Sequence, residues 1–106
     1  MPQRSPSIDL SGRQRRHLRA LAHHIMPVVI VGKDGTTEGL IVAVCRALED
    51  HELIKVKVLE SAPIDLSDVS EALAELSGAH VAGRVGHVVI LYRRREQTPH
   101  IQLPTS

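Results

Sequence analysis

Aromatic side chains are almost missing from this chain. Its 106 residues include one tyrosine, Tyr92, and no phenylalanine or tryptophan. Val, Leu, Ile and Ala must therefore build the core, and no platform of ring-bearing strands can form. Cysteine is as scarce. Cys45 alone excludes an internal disulfide framework and any cysteine-rich zinc module. Long apolar runs are absent too. The longest, Val28 to Val31 and Val88 to Leu91, fall far short of the ~20 residues that cross a bilayer. Met1-Pro2-Gln3-Arg4-Ser5 leads into no apolar signal segment, so a cytoplasmic protein is expected.

What remains is the composition of one soluble domain, 42% hydrophobic and 24% charged. The net charge is only +1, but the charges are segregated. Arg13, Arg15, Arg16 and Arg19 have no acid between them, and Arg93, Arg94 and Arg95 form a second run. Asp65, Asp68, Glu71 and Glu75 form an acidic stretch. Such a chain can be nearly neutral and still present a basic face, which suits a polyanionic partner. The competing reading of each run is a solvated surface.

Periodicity divides the chain into seven elements. Residues 1–8, with two prolines and two serines, predict a loose tail. Ser11 and Gln14 have capping-box spacing, and Leu18, Leu21, Ala22 and Ile25 recur as one helical stripe. Arg15, Arg16, Arg19 and His23 fall on the opposite face. Pro27 ends the pattern. Val28 to Val31 reads as a strand buried on both faces. Thr36 or Thr37 can cap a second helix carrying Leu40, Ile41, Val44 and Leu48, which ends near His51. Leu53 to Leu59 alternates, with Ile54, Val56 and Val58 on one face and Lys55 and Lys57 on the other. Ser67 can cap a third helix ending at Gly78. Val81 to Val85 and Val88 to Arg93, joined at Gly86-His87, read as an antiparallel hairpin. The predicted fold is α/β, a single compact domain of order α-β-α-β-α-β-β over a small mixed sheet of four strands. The domain is placed at 9–95, with 96–106 an extended C-terminal tail.

The segment with most chemical content is Gly32-Lys33-Asp34-Gly35, between a strand and a helix. Glycines permit positive φ and close approach of another backbone. A following helix N-terminus suits phosphate, and Lys33 adds a mobile cation. KH domains clamp single-stranded RNA with a Gly-x-x-Gly loop of this kind. The alternative is an ordinary tight turn. A P-loop is excluded, because Pro27 stands where its first glycine belongs. Arg15, Arg16 and Arg19 can neutralise phosphates, and Lys55, Lys57 and Arg93 extend the basic surface. Lys55 and Lys57 read equally well as strand protection. The seven histidines show no His-x-x-x-His pair and no cysteine partner, so no metal or other cofactor is expected. Cys45 lies beside an apolar stripe and reads as a small core residue. No nucleophile elbow or paired-carboxylate site is visible, so a non-catalytic protein is expected.

Several ordered motifs carry a resemblance. They are Arg16-His17-Leu18-Arg19-Ala20-Leu21-Ala22-His23, Pro27-Val28-Val29, Val31-Gly32-Lys33-Asp34-Gly35-Thr36-Thr37-Glu38-Gly39, Ala47-Leu48-Glu49-Asp50-His51-Glu52-Leu53-Ile54-Lys55-Val56-Lys57-Val58 and Val85-Gly86-His87-Val88-Val89-Ile90-Leu91-Tyr92-Arg93. Together, from about Leu10 to Leu103, the sequence resembles the CRM domain (chloroplast RNA splicing and ribosome maturation) in its stand-alone bacterial form, the YhbY-like RNA-binding proteins. The resemblance implies a fold similar to the C-terminal domain of translation initiation factor three, with an extra N-terminal helix. It implies RNA as partner through Gly32 to Gly35 and the surrounding basic residues, and association with precursors of the large ribosomal subunit. One position departs from the family. Thr36 stands where a Leu or Ile usually follows the second glycine.

Three hypotheses follow. The first is a non-catalytic protein that binds ribosomal RNA during large-subunit assembly, a monomer by default for its size, with no membrane and no small-molecule substrate. Its site residues would be Gly32, Lys33, Asp34, Gly35, Arg15, Arg16, Arg19, Lys55, Lys57 and Arg93. The second is a protein-docking module on a ribosomal protein or assembly factor, which requires exposed apolar anchors. The third is a small enzyme, for which no constellation of reactive groups appears.

Overall fold

The computed structural model describes residues 10–105; the predicted tail at 1–8 lies outside the described residues. Ser11 caps α1 (Gly12–Ala22) by accepting the Gln14 N–H at 3.1 Å, while Gln14 Oε1 accepts the Ser11 N–H at 3.0 Å. This reciprocal box satisfies two donors that a helix start leaves free. Four strands follow in the predicted order with the remaining helices: β1 (Pro27–Val31), α2 (Glu38–His51), β2 (Leu53–Val58), α3 (Leu66–Ser77), β3 (His80–Val85) and β4 (Val88–Tyr92). They form one mixed sheet ordered β1-β2-β4-β3. β1 runs parallel to β2, with Val31 beside Val58. β4 runs antiparallel to both its neighbours, with Leu53 beside Tyr92 and Val85 beside Val88.

The period-two alternation on β2 and β4 divides the core between the sheet's two faces. Val29, Val31, Ile54, Val56, Val58, Val89 and Leu91 pack against Val44 and Leu48 of α2 and Val69 and Leu73 of α3. Leu53, Ile90 and Tyr92 face the other way, against Leu18 and Ala22 of α1. Each fully buried aliphatic side chain stabilises the fold by roughly 1.5–3 kcal/mol. A chain without Phe or Trp thus reaches a closed interior through many β-branched contacts.

Three details differ from the sequence expectation, and a fourth adds to it. β1 is not buried on both faces: Val28 and Ile30 remain 53% and 57% exposed, because β1 is an edge strand that α1 leaves uncovered. α1 ends at Ala22, short of Pro27, which opens β1 instead. Asp65, not Ser67, occupies the N-cap of α3, and Ser67 Oγ accepts from Arg84 at 3.2 Å. The C-terminal segment forms no helix or strand, but it is fastened. Ile101 and Leu103 pack against the α1-side core, and the Pro104 carbonyl accepts from Gln14 Nε2 at 2.9 Å. Gly78, by contrast, ends α3 in the left-handed conformation as its position predicts, with φ 71°.

Candidate nucleic-acid interface

The Gly-Lys-Asp-Gly segment is a β-turn at the C-terminal end of β1. The Gly35 N–H donates to the Gly32 carbonyl at 3.0 Å, which closes four residues with Lys33 and Asp34 exposed at the tip. Gly35 requires glycine. Its φ is 69°, and an added Cβ would stand 3.4 Å from Pro63 Cγ. Pro63, in the connection between β2 and α3, thus provides apolar contact beneath the turn. Thr36 is half-buried beside it.

Of the two possible caps, Thr37 is the one used. Its hydroxyl accepts the Leu40 N–H at 3.1 Å. Glu38 occupies the first turn of α2, and its negative charge already complements the helix dipole. Thr37 and Glu38 thus take up part of what the start of α2 could offer a phosphate. The exposed cation beside it is Lys33.

Lys57 pairs with Ile30, two residues before the turn, and Lys55 lies one pleat further along the same face. Lys57 is exposed and Lys55 half-buried. α1 packs on this same face, so its arginines and the two lysines share one side of the molecule. Arg16 is exposed there. Arg15 is exposed as well, although one of its nitrogens donates to the Leu10 carbonyl at 2.6 Å. Arg19 is not on the solvent face that the helical spacing assigned to it. It is half-buried, its guanidinium lies 3.5 Å from the Ala82 carbonyl, and its stem covers Gly83 of β3.

Arg93 is not brought to this surface. It follows Tyr92 at the opposite end of the sheet, roughly 23 Å along the strands from the turn. Alternation also sends it to the other sheet face. There its guanidinium donates to the Ser77 carbonyl at 2.8 Å and the Cys45 carbonyl at 3.3 Å, and it lies 3.7 Å from Glu49. Arg93 joins the C-terminal halves of α2 and α3. Cys45 is half-buried beside it.

Sequence reasoning assigned no role to Glu52. It caps α2 with φ 63° and is fully buried. Its carboxylate accepts the N–H groups of Arg95 at 3.2 Å, of His100 and of Ile101 at 3.0 Å. The available signal was an acid placed between a helix end and an apolar strand, where a glycine is the usual choice. Glu52 also bears on Tyr92. Burial pushes the Tyr92 phenol above its ordinary value, the Glu52 charge adds to the rise, and Arg94 opposes it. Among the described residues no group of three or more His, Cys, Asp or Glu is placed to hold a metal ion. No helix among them is long and apolar enough to cross a membrane.

Comparison with known proteins places this geometry in a family. The sequence pattern of the CRS1 / YhbY (CRM) domain matches residues 10–93. The probable RNA-binding protein YqeI of Bacillus subtilis is 40% identical over 95 residues, which cover 90% of this chain and 99% of that one. A probable RNA-binding protein of Methanocaldococcus jannaschii is 47% identical over 89 residues, covering 82% of this chain and 66% of its relative. The solution structure of a Staphylococcus aureus protein, 37% identical, superposes with a TM-score of 0.78 over 90% of this chain and 99% of that one.

Proposed function

The chain belongs to the CRS1 / YhbY (CRM) domain family, and from that membership we propose that it is a non-catalytic protein that binds RNA. The observation that carries the proposal is the exposed Lys33-Asp34 tip, held out by a glycine-closed turn beside Lys57. Relatives that align over nearly the whole chain are named as RNA-binding proteins. In this reading Gly32 lets an RNA backbone approach the turn and Lys33 meets a phosphate, while Gly35, buried against Pro63, closes the turn rather than touching RNA. Lys57, Lys55, Arg15 and Arg16 supply the wider electrostatic footprint on the α1 side. With one tyrosine, buried in the core, recognition rests on backbone and shape rather than on stacked bases.

The ligand we propose is ribosomal RNA in precursors of the large subunit, met in the cytoplasm. Gradient sedimentation of the native protein, with and without ribonuclease, tests this. Co-migration with large-subunit precursors that collapses on digestion is the expected result. A complex that resists ribonuclease supports protein docking instead, and a protein that stays at the top of the gradient refutes the assembly role. The site is tested by a Lys33→Glu, Arg16→Glu double variant. Affinity falls similarly for all RNA sequences, and the slope of log affinity against log salt drops by about 2, roughly one for each lost phosphate contact. Unchanged affinity removes these residues from the site.

A further inference from the structure

α1 covers only part of its side of the sheet. Leu18 and Ala22 pack on Leu53, Ala82, Ile90 and Tyr92. The part beside the Gly32 turn stays open. There the register sets Ile30 beside Lys57, Lys57 beside Val88 and Val88 beside Val85. One residue from each strand thus forms a row across the face, about 14 Å long at the usual strand spacing. Alternation fixes its side, because the sequence neighbours Val31, Val58 and Val89 belong to the core under α2 and α3. Ile30 and Val85 are 57% and 59% exposed, Lys57 is exposed and Val88 half-buried. Ile30 stands two residues before Gly32, so the row starts roughly 7 Å from the turn.

Two properties of this row select its occupant. The first is charge. α1 and the four strands contain no Asp or Glu. α2 and α3, on the other side of the sheet, carry Glu38, Glu49, Asp50, Asp68, Glu71 and Glu75, all exposed. Asp34 and Glu60, the acids closest to the row in sequence, stand beyond the strand ends. Among the described residues neither Lys55 nor Lys57 makes an ion pair. A net charge of +1 thus conceals one side that attracts a polyanion and one that repels it. The second property is the order of side chains. A protein anchor is a contiguous apolar patch, but here a lysine separates Ile30 from Val88 and Val85. An unpaired RNA strand alternates in the same way, with apolar base faces between anionic phosphates. Duplex RNA keeps its base faces inside and presents phosphates and ribose hydroxyls, which leaves Ile30 and Val85 in water.

We infer that the row of Ile30, Lys57, Val88 and Val85 is a docking face for an unpaired segment of RNA. The inference rests on the RNA reading above and names the form of RNA that this face takes. Lys57 meets a phosphate. Bases on either side of it lie against Ile30 and against Val85 with Val88, and the strand runs on past Ile30 to Lys33 at the turn. The contacts are aliphatic, because no aromatic ring is exposed for stacking. They separate unpaired from paired RNA without separating one base from another.

Fluorescence anisotropy of the full chain tests this with two RNAs, an oligouridine of about 12 nucleotides and a blunt duplex with the same number of phosphates. The oligouridine binds ~10-fold tighter than the duplex. The double variant Ile30→Ser, Val85→Ser weakens oligouridine binding by about 10-fold and leaves duplex binding unchanged. Its salt slope stays that of the parent, because no charge is lost. Val42→Ser alters an equally exposed apolar residue (55%) on α2 and changes neither affinity. Circular dichroism checks folding. Methyl resonances of Ile30 and Val85 in the parent protein, which shift on adding oligouridine, give a readout that needs no variant. Equal affinity for the two RNAs, parental affinity in a folded double variant, or unmoved methyls each overturn the inference. If Lys33→Glu, Arg16→Glu weakens binding and the row variant does not, the row is lost and the RNA reading stands. Absence of binding to either RNA removes both. A peptide of alternating Glu and Leu that shifts these methyls when oligouridine does not assigns the face to a protein and likewise overturns the inference.

Discussion

Replacing Glu52 is the sharpest test of how this fold is fastened. Its fully buried carboxylate holds three backbone N–H groups of the C-terminal segment. Its own backbone accepts the Arg93 N–H at 2.9 Å and donates to the Leu48 carbonyl at 2.8 Å. A hydrogen bond to a charged group contributes about 1.5–3 kcal/mol, and a buried amide left unpaired costs about 1–3 kcal/mol. Three orphaned amides would sum to roughly 3–9 kcal/mol if the segment stayed in place. It need not stay, because Arg95, His100 and Ile101 can swing into water once the half-buried Ile101 and Leu103 undock. The expected loss for Glu52→Ala is therefore near the low end, about 3–4 kcal/mol. That is a large share of the 5–15 kcal/mol typical of a domain. Glu52→Gln keeps one carbonyl oxygen and loses the charge, at a cost of about 2 kcal/mol. Glu52→Gly isolates the backbone. A positive φ disfavours Ala and Glu alike, so Gly should exceed Ala in stability by about 1 kcal/mol. Urea unfolding followed by far-ultraviolet circular dichroism reads the stabilities, and amide exchange at Arg95, His100 and Ile101 reads the release. If Glu52→Ala lies within about 1 kcal/mol of the parent, or these amides exchange at unchanged rates, the carboxylate is not the fastener described here.

Two further outcomes test other parts of the structure. A Cβ at Gly83 would stand 2.5 Å from Arg19 Cδ and 3.0 Å from Cγ, so Gly83→Val should lift α1 or swing Arg19 away, costing about 1–3 kcal/mol. Thermal unfolding measures the cost, and an unaltered Tm would show that Arg19 does not pack there. The Tyr92 phenol is raised above 10.0, so the folded state keeps its proton where the unfolded chain has begun to lose it. Its contribution to stability is complete below pH 10 and is lost as the pH climbs through the folded value. Ultraviolet absorbance of this single tyrosine should show ionisation later than in a denatured control. Coincident curves would contradict its burial.

Much of the architecture follows from local sequence alone. Period-two alternation at Leu53 to Leu59, helical spacing in α1 to α3, the Ser11–Gln14 box and the glycines at 35, 78 and 86 are short-range instructions. Each depends on backbone sterics or on neighbours three or four residues away. The order of elements and the position of the turn were therefore legible, and so was the family, through motifs spread over the chain. Strand neighbours in space were not. Val28-Val29-Ile30-Val31 reads the same for a central strand as for an edge, and only the order β1-β2-β4-β3 left Val28 and Ile30 exposed. Long side chains show the same limit. Arg16, Arg19 and Arg93 look equivalent as charges, yet tertiary contacts left the first exposed, laid the second over Gly83 and tied the third to α2 and α3. The role of Glu52 lay furthest from view, because the partners of its carboxylate are 43 to 49 residues away. Local sequence determined which elements form; the packing of the sheet decided which charges remain free for a partner and which hold the protein together.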